Sequence, residues 1–346
     1  GRQGNRNDEV RSDKPQQHQH EKFAFRLNDL RRLEYEGHSG IRALLEGLQR
    51  FGWKPVREGE TLIGLTDNKG ATVSLEPGGQ VELSGAPLET LHQTCAEVGA
   101  HLTQVKEISN ELGIGMVGLG FDPKWPRDDV PWMPKGRYRV MRAYLPTRAA
   151  RPHEMMKRTA TVQVNIDYRS QADCAERLRV AMGTSSLVTA LWAASPIVDG
   201  RPTDFQSYRA DCWLETDPDR CGLLPFVFRD EARERLYDDY TAWALDVPMF
   251  FVYRDGKYRP AGGLPFRRFL AAGFEGEQAT MADWELHLST LFPETRLKQY
   301  LEMRGADSLA ATAAGSPTCT PIVCETKTST RAANAVAGMV TPPAKK

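Results

Sequence analysis

The stretch TATVQVNIDY (159–168) sets the first limit on what this chain can fold into. Val162, Val164 and Ile166 point one way, and Thr161, Gln163, Asn165 and Asp167 the other, which is the two-residue period of a strand with one apolar and one polar face. RLKQYLEMRG (296–305) repeats the pattern, with Lys298, Tyr300, Glu302 and Arg304 on one face and Leu297, Leu301 and Met303 opposite or near it. In SLEPGGQVELSG (74–85) a Pro-Gly-Gly turn between two short alternating runs predicts a hairpin whose Glu76, Gln80 and Glu82 share a face. Adjacent strands with polar inner faces predict an α+β fold: an antiparallel sheet whose concave side is a charged cavity, with helices packed behind it.

Helical periodicity supplies those helices. Ile41, Leu44, Leu45 and Leu48 recur at helical spacing and Gly52 follows as a stop. Pro87 is expected to open a longer helix with Leu88, Leu91, Val98, Leu102, Val105, Ile108 and Leu112 on one face, ended by Gly113. Further helices are expected near 170–194, 229–244 and 281–291. No linker rich in Gly, Ser or Pro interrupts residues 21–307, so they are expected to form one domain. The ends differ. Residues 1–20 are polar, residues 308–346 are rich in Ala, Thr, Ser and Pro, and both lack aromatic residues, a composition that predicts disorder.

Composition excludes several partners. Lys and Arg total 45 against 45 Asp and Glu, so no excess charge draws nucleic acid or an anionic membrane. No apolar run reaches the roughly 18 residues of a membrane span. Six cysteines are too few for a disulfide scaffold, and Cys95, Cys174, Cys212 and Cys221 are expected as reduced thiols. Cys319 and Cys324 lack further ligands for a metal. The first twenty residues resemble neither a secretory signal nor a transit peptide, which predicts a cytoplasmic location.

The motif GIGMVG (113–118) has the spacing of a dinucleotide fingerprint, but it follows a helix and runs into the proline-rich FDPKWPRDDVPWMP, so it is read as strand glycines beside a cavity. No G-x-x-x-x-G-K-[ST], H-E-x-x-H or G-x-S-x-G occurs. What remains is acid and arginine on strands. Glu21, Glu76, Glu82 and Glu302, with the amides Gln163 and Asn165, offer the hard oxygens that Mg²⁺ prefers. Arg137, Arg142, Arg158, Arg209 and Arg304 suit carboxylates and phosphates.

At these residues a resemblance becomes specific. HEKFAF (20–25), SLEPGGQVELSGAPLETLHQTCAEV (74–98), DPKW (122–125), MPKGRY (133–138), TVQVN (161–165), LPFVF (224–228), ALDVPM (244–249) and RLKQYLEMRGAD (296–307) resemble glutamate–cysteine ligase of the plant and proteobacterial type. The resemblance implies a funnel-shaped antiparallel sheet similar to the catalytic domain of glutamine synthetase. It implies ATP, L-glutamate and L-cysteine as substrates, Mg²⁺ as cofactor, and γ-glutamylcysteine, the first intermediate of glutathione synthesis, as product. By motif it makes Glu21, Glu82, Gln163 and Glu302 metal ligands and Arg137, Arg158 and Arg209 substrate-binding residues. Asn165, Lys298 and Arg304 become nucleotide contacts, and Arg304 and Glu302 the catalytic pair; Arg142 and Arg158 also read as structural ion pairs. The resemblance admits a homodimer. The alternatives are a γ-glutamyl ligase for another amine and a relative that binds ATP or glutamate without turnover. Departures from the family pattern are Gln19 where a second acid is usual, Phe250 where Tyr often follows V-P-M, an altered loop at 147–156, and the tail 308–346 in place of a helical region.

Overall fold

The computed structural model describes residues 18–309. Its strands are β1 (His18–Arg26), β2 (Lys54–Glu58), β3 (Thr61–Thr66), β4 (Thr72–Leu75), β5 (Gln80–Ser84), β6 (Ile114–Val117) and β7 (Val162–Ile166), then the short β8 (Ile197–Val198), β9 (Arg201–Pro202) and β10 (Cys221–Gly222). They are followed by β11 (Phe251–Arg254), β12 (Lys257–Pro260), β13 (Phe292–Pro293), β14 (Thr295–Leu297) and β15 (Leu301–Met303). Nine of them form one sheet in the order β14-β15-β7-β1-β5-β4-β3-β2, with β6 also on β1. Every pairing in it is antiparallel, as the polar alternation predicts. The register sets Glu21 opposite Glu82 and Glu302 opposite both Arg296 and Asn165.

The predicted 74–85 hairpin is β4–β5, turning at Gly79, whose φ of +78° favours glycine. Residues 296–305, read from sequence as one alternating run, are instead a tight hairpin, because the chain reverses through 298–300, where Lys298 N donates to Tyr300 O at 2.8 Å. On β7 the expected apolar face is also corrected: Val164 is 38% exposed while Gln163 and Asn165 are buried. The polar side of that strand lies against β15 and the cavity wall, so burial follows the site and not hydrophobicity.

Behind the sheet, α1 (Ile41–Leu48) buries Ile41, Leu44, Leu45 and Leu48 in one apolar cluster with Leu62, Leu65, Val73 and Leu83. Helix α2 (Leu91–Leu112) starts later than Pro87 because Thr90 forms a capping box with Gln93, satisfying the first free amides. It ends as expected at Gly113, φ +67°. Its buried stripe is Thr94, His101, Val105, Ile108 and Ser109; Leu91 is exposed. Near the cavity lie α3 (Gly136–Tyr144), α4 (Pro152–Arg158) and, after α5 (Gln171–Leu191), α6 (Tyr208–Leu214). Helix α7 (Ala232–Asp246) packs Leu236, Tyr240 and Ala244 with Leu178 and Met182 of α5 in a second apolar cluster, and α8 (Phe266–Ala272) and α9 (Met281–Leu288) follow. The expected 229–244 and 281–291 helices are thus α7 and α9, each with shifted ends.

Gly113 caps α2, and a side chain at Gly115 in β6 would come within 2.6 Å of the Phe25 ring, so these two GIGMVG glycines serve a helix end and close packing. Cys174, Cys212 and Cys221 are free thiols. Among the described residues no helix is long and apolar enough to cross a membrane. The polar N-terminal segment ends earlier than expected, because residues 18–20 already belong to β1. Ser308 is buried, donating from N to Ala160 O and from Oγ to Glu21 O, so the domain runs past 307. The rest of both terminal segments, with Cys319 and Cys324, lies outside the described residues.

Candidate active site

Strand residues of the sheet and side chains of the neighbouring helices line a cavity of about 270 Å³. Strands β1, β4, β5 and β7 contribute Gln19, Glu21, Ser74, Glu82 and Gln163 to its floor, with Glu76 and Gln80 from the 76–80 turn. Helices α3 and α6 contribute Arg137, Tyr138, Arg209 and Trp213, and the β14–β15 end contributes Arg296 and Arg304. Alternation in the strands therefore sends acids and amides inward, while helix and hairpin ends bring arginines to the rim.

The acidic wall is Glu21, Glu76 and Glu82. Glu21 Oε2 accepts from Thr161 N at 2.9 Å, and Glu82 Oε1 from Ser84 Oγ at 2.6 Å. Burial, then the neighbouring Glu76 and Glu82, push the Glu21 carboxyl well above the usual carboxylate range. Burial and Glu82 likewise push Glu76 up to about 7. Carboxylates that raise one another in this way are relieved by a cation. Among the described residues no three His, Cys, Asp or Glu converge closely enough to hold an ion alone. Mg²⁺ commonly takes only one or two protein carboxylates and completes its shell with water and phosphate oxygens, so this donor set fits it. Gln80 is spent on structure: its amide donates to Thr159 O at 2.7 Å and accepts from Gly78 N at 3.0 Å.

Arginines line the same cavity. Arg209 donates to the carbonyls of Arg304 (2.9 Å) and Gly305 (3.4 Å), leaving its buried Nε unpaired. Arg137 reaches Ser289 Oγ only at 3.5 Å, and its Nε is also unpaired. Arg304 donates to Gln163 Oε1 at 3.2 Å and Glu302 Oε2 at 2.9 Å. The Trp213 ring centroid lies 5.9 Å from the Arg209 guanidinium and 5.5 Å from that of Arg304, within cation–π reach of both.

Four expectations are corrected by placement. Glu302 does not line the cavity: its fully buried carboxylate accepts from Arg296 (2.8 Å), Lys298 (2.7 Å) and Arg304 (2.9 Å), and those cations hold it far below the usual range despite burial. Its Oε2 is held by the two arginines and its Oε1 by Lys298. Lys298 is spent on that same carboxylate, away from the cavity lining. Asn165 is buried beside Glu302 in register, with neither amide atom paired, and also lies off the cavity. Arg158 is a structural ion pair, bound to Glu154 (3.2 Å), Asp199 (2.7 Å) and Asp122 O (3.0 Å) over the Phe121 ring. Arg142 stacks on Trp132, 4.7 Å from its centroid. By contrast Glu21, Glu82, Gln163, Arg137, Arg209 and Arg304 are brought to one cavity. Sequence reasoning missed Arg296, Lys135 and Trp213 there. Arg296 had a signal, since it shares the parity of Lys298 to Arg304; Trp213 had none, because only the turn of α6 aims it inward.

The family model of glutamate–cysteine ligase family 2 (GCS2) matches residues 19–319 of this chain. The chain belongs to that family. Over 293 residues this family 2 chain is 53% identical to the chloroplastic glutamate–cysteine ligase of Medicago truncatula, covering 84% of this chain and 56% of the relative. Against the enzyme of Arabidopsis thaliana the figures are 53%, 84% and 55%, and against ligase B of Oryza sativa subsp. japonica 50%, 84% and 58%. The chain thus spans about half the length of the curated relatives it matches. The expected cytoplasmic location is overturned, since these relatives are chloroplastic. Two family departures also acquire positions. Gln19 lines the cavity, whereas Phe250 is buried beneath the Arg220 guanidinium at 3.8 Å, so a missing hydroxyl there takes nothing from the cavity.

Proposed function

We propose that this family 2 chain carries the site that joins the γ-carboxyl of L-glutamate to L-cysteine at the expense of ATP, giving γ-glutamylcysteine for glutathione synthesis. The observation that carries the reading is the convergence, on one cavity, of Glu21, Glu76 and Glu82 with Arg137, Arg209, Arg296 and Arg304. A carboxylate and a triphosphate repel each other, so bringing them in line demands fixed positive charge around the transferring phosphoryl group. The γ-carboxylate oxygen attacks the terminal phosphorus and ADP leaves; the cysteine nitrogen then attacks the acyl carbon and phosphate leaves, its proton passing to solvent or base. Arg304, held by Glu302 and Gln163, and Arg296, held by Glu302, face the negative charge that develops on the phosphoryl oxygens. Arg209 and Arg137, with unpaired Nε atoms, grip the α-carboxylate of glutamate and fix the reactive end. Glu21, Glu76 and Glu82 would hold Mg²⁺, which when bound neutralises phosphate charge. Likeness in fold to the glutamine synthetase catalytic domain, a plastid location and a homodimer belong to the same reading.

The test is ADP release with each substrate omitted in turn. Release that requires both L-glutamate and L-cysteine supports the reading, and release indifferent to either amino acid defeats it. Replacement of L-cysteine by 2-aminobutyrate separates this reaction from ligation to another amine. Gln19 on the cavity wall, in place of an acid, favours a second reading in which ATP or glutamate binds without turnover. Calorimetric binding with no product would select it.

A further inference from the structure

Asp307 lies off the cavity and is fully buried, yet it gathers more donors than any substrate contact requires. Its Oδ2 accepts from Ala194 N at 2.8 Å and Ser195 Oγ at 2.6 Å, and its Oδ1 accepts from Ser207 Oγ at 2.9 Å with Arg209 Nη1 at 3.9 Å. Both serines pass the constraint on. Ser195 Oγ accepts from Arg209 N at 3.2 Å, and Ser207 Oγ, the N-cap of α6, accepts from Ala210 N at 3.1 Å. The first turn of α6 is therefore fastened to one carboxylate at two points, and Arg209 stands in that turn.

The other end of Arg209 is fastened to the same segment, since its guanidinium donates to the carbonyls of Arg304 and Gly305. Space confirms the fit: a Cβ on Gly120 would meet the Asp307 carboxyl carbon at 2.2 Å, so the carboxylate is seated against backbone that leaves it one position. Thr161 Oγ1 donates to Ala306 O at 2.7 Å, tying residues 304–307 to the β7 end of the cavity floor. Backbone and side chain of one arginine are thus referenced to a single buried anion.

We propose that Asp307 is a positioning residue for Arg209: it sets the angle at which that guanidinium enters the cavity and thereby governs recognition of the amino-acid carboxylate. The proposal rests on the glutamate-binding reading of Arg209 given above. Substitution by Asn keeps the shape but removes the negative charge and leaves one oxygen to accept where two did, so the hold on the turn loosens. Shifts of supporting groups weaken function by roughly 10- to 100-fold.

The experiment measures the Kd for L-glutamate and, separately, for ATP by titration calorimetry on the full chain, for the parent and for D307N, R209A and D307N/R209A. The expected result is a glutamate Kd raised about 10-fold or more in D307N, an ATP Kd unchanged, and no further loss when D307N is added to R209A. Glutamate affinity unaltered in D307N but lost in R209A overturns the positioning role alone. Full additivity of the two substitutions also overturns it, because a general structural defect would add. Glutamate binding insensitive to R209A overturns the reading of the site itself, and this proposal with it. Should D307N not fold, S195A/S207A removes the two hydroxyl links and carries the same expectation and the same refutations.

Discussion

Replacing Glu302 by Gln separates two accounts of that residue. As a metal ligand its loss abolishes Mg²⁺ affinity and leaves folding intact. As the shared anion of Arg296, Lys298 and Arg304 its loss strands three cations, two of them nearly enclosed. Removing one partner of a buried ion pair costs about 3–5 kcal/mol. The Lys298 side chain is 31% exposed, so its share is screened and the total is held to that range without a third increment. For a domain of this size each kcal/mol moves the melting temperature by about 2–4 °C, so the shift is roughly 6–20 °C downward. Differential scanning calorimetry of the parent and Glu302→Gln, with and without Mg²⁺, measures it. A fall of under about 2 °C together with lost Mg²⁺ stabilisation would refute the ion-pair account and restore the metal-ligand one.

Three further outcomes follow from the same geometry. Arg158→Ala is expected to lower the melting temperature while leaving the glutamate KM within about twofold, because its partners are Glu154, Asp199 and the Asp122 carbonyl; a large KM rise in a normally stable variant would return Arg158 to the substrate site. Glu76→Gln is expected to raise the Mg²⁺ concentration needed for half-maximal ADP release by about tenfold or more, and an unchanged requirement would remove Glu76 from the metal wall. Burial lowers His287 from 6.5 to about 4, its ring nitrogen Nε2 lying 2.8 Å from Ala244 O. A base whose folded pKa is depressed binds fewer protons than the unfolded chain, so its contribution is full above about pH 6.5 and is lost as pH falls towards 4, by up to about 3 kcal/mol. Urea titrations at pH 7 and pH 4.5 should show a smaller acid-linked loss in His287→Phe; an identical loss would place the effect elsewhere.

Much of the fold was legible because a strand's period is short and local. The β4–β5 hairpin, with Glu76, Gln80 and Glu82 on one side, and α1, with its four buried aliphatics, follow directly from spacing, as does the end of α2 at Gly113. The same local logic failed at 296–305, where alternation continues through a turn and cannot report the reversal. It also failed at Val164, where apolar character predicted burial.

Sequence by itself determined the acids and amides of the sheet floor, since parity along a strand decides which side chains share a face, and its motifs carried the family. Only tertiary structure decided how charge is spent. Glu302 and Arg158 carry the same formal charges as Glu82 and Arg209, yet the first pair is consumed by ion-pair partners while the second is turned to the cavity. That difference depends on which residues the fold brings together: Glu302 meets Arg296 across a hairpin, and Arg209 meets Asp307 and the 304–305 carbonyls nearly a hundred residues away. Pairing energies fall steeply with distance and rise with burial, and neither quantity is written in the spacing of a sequence.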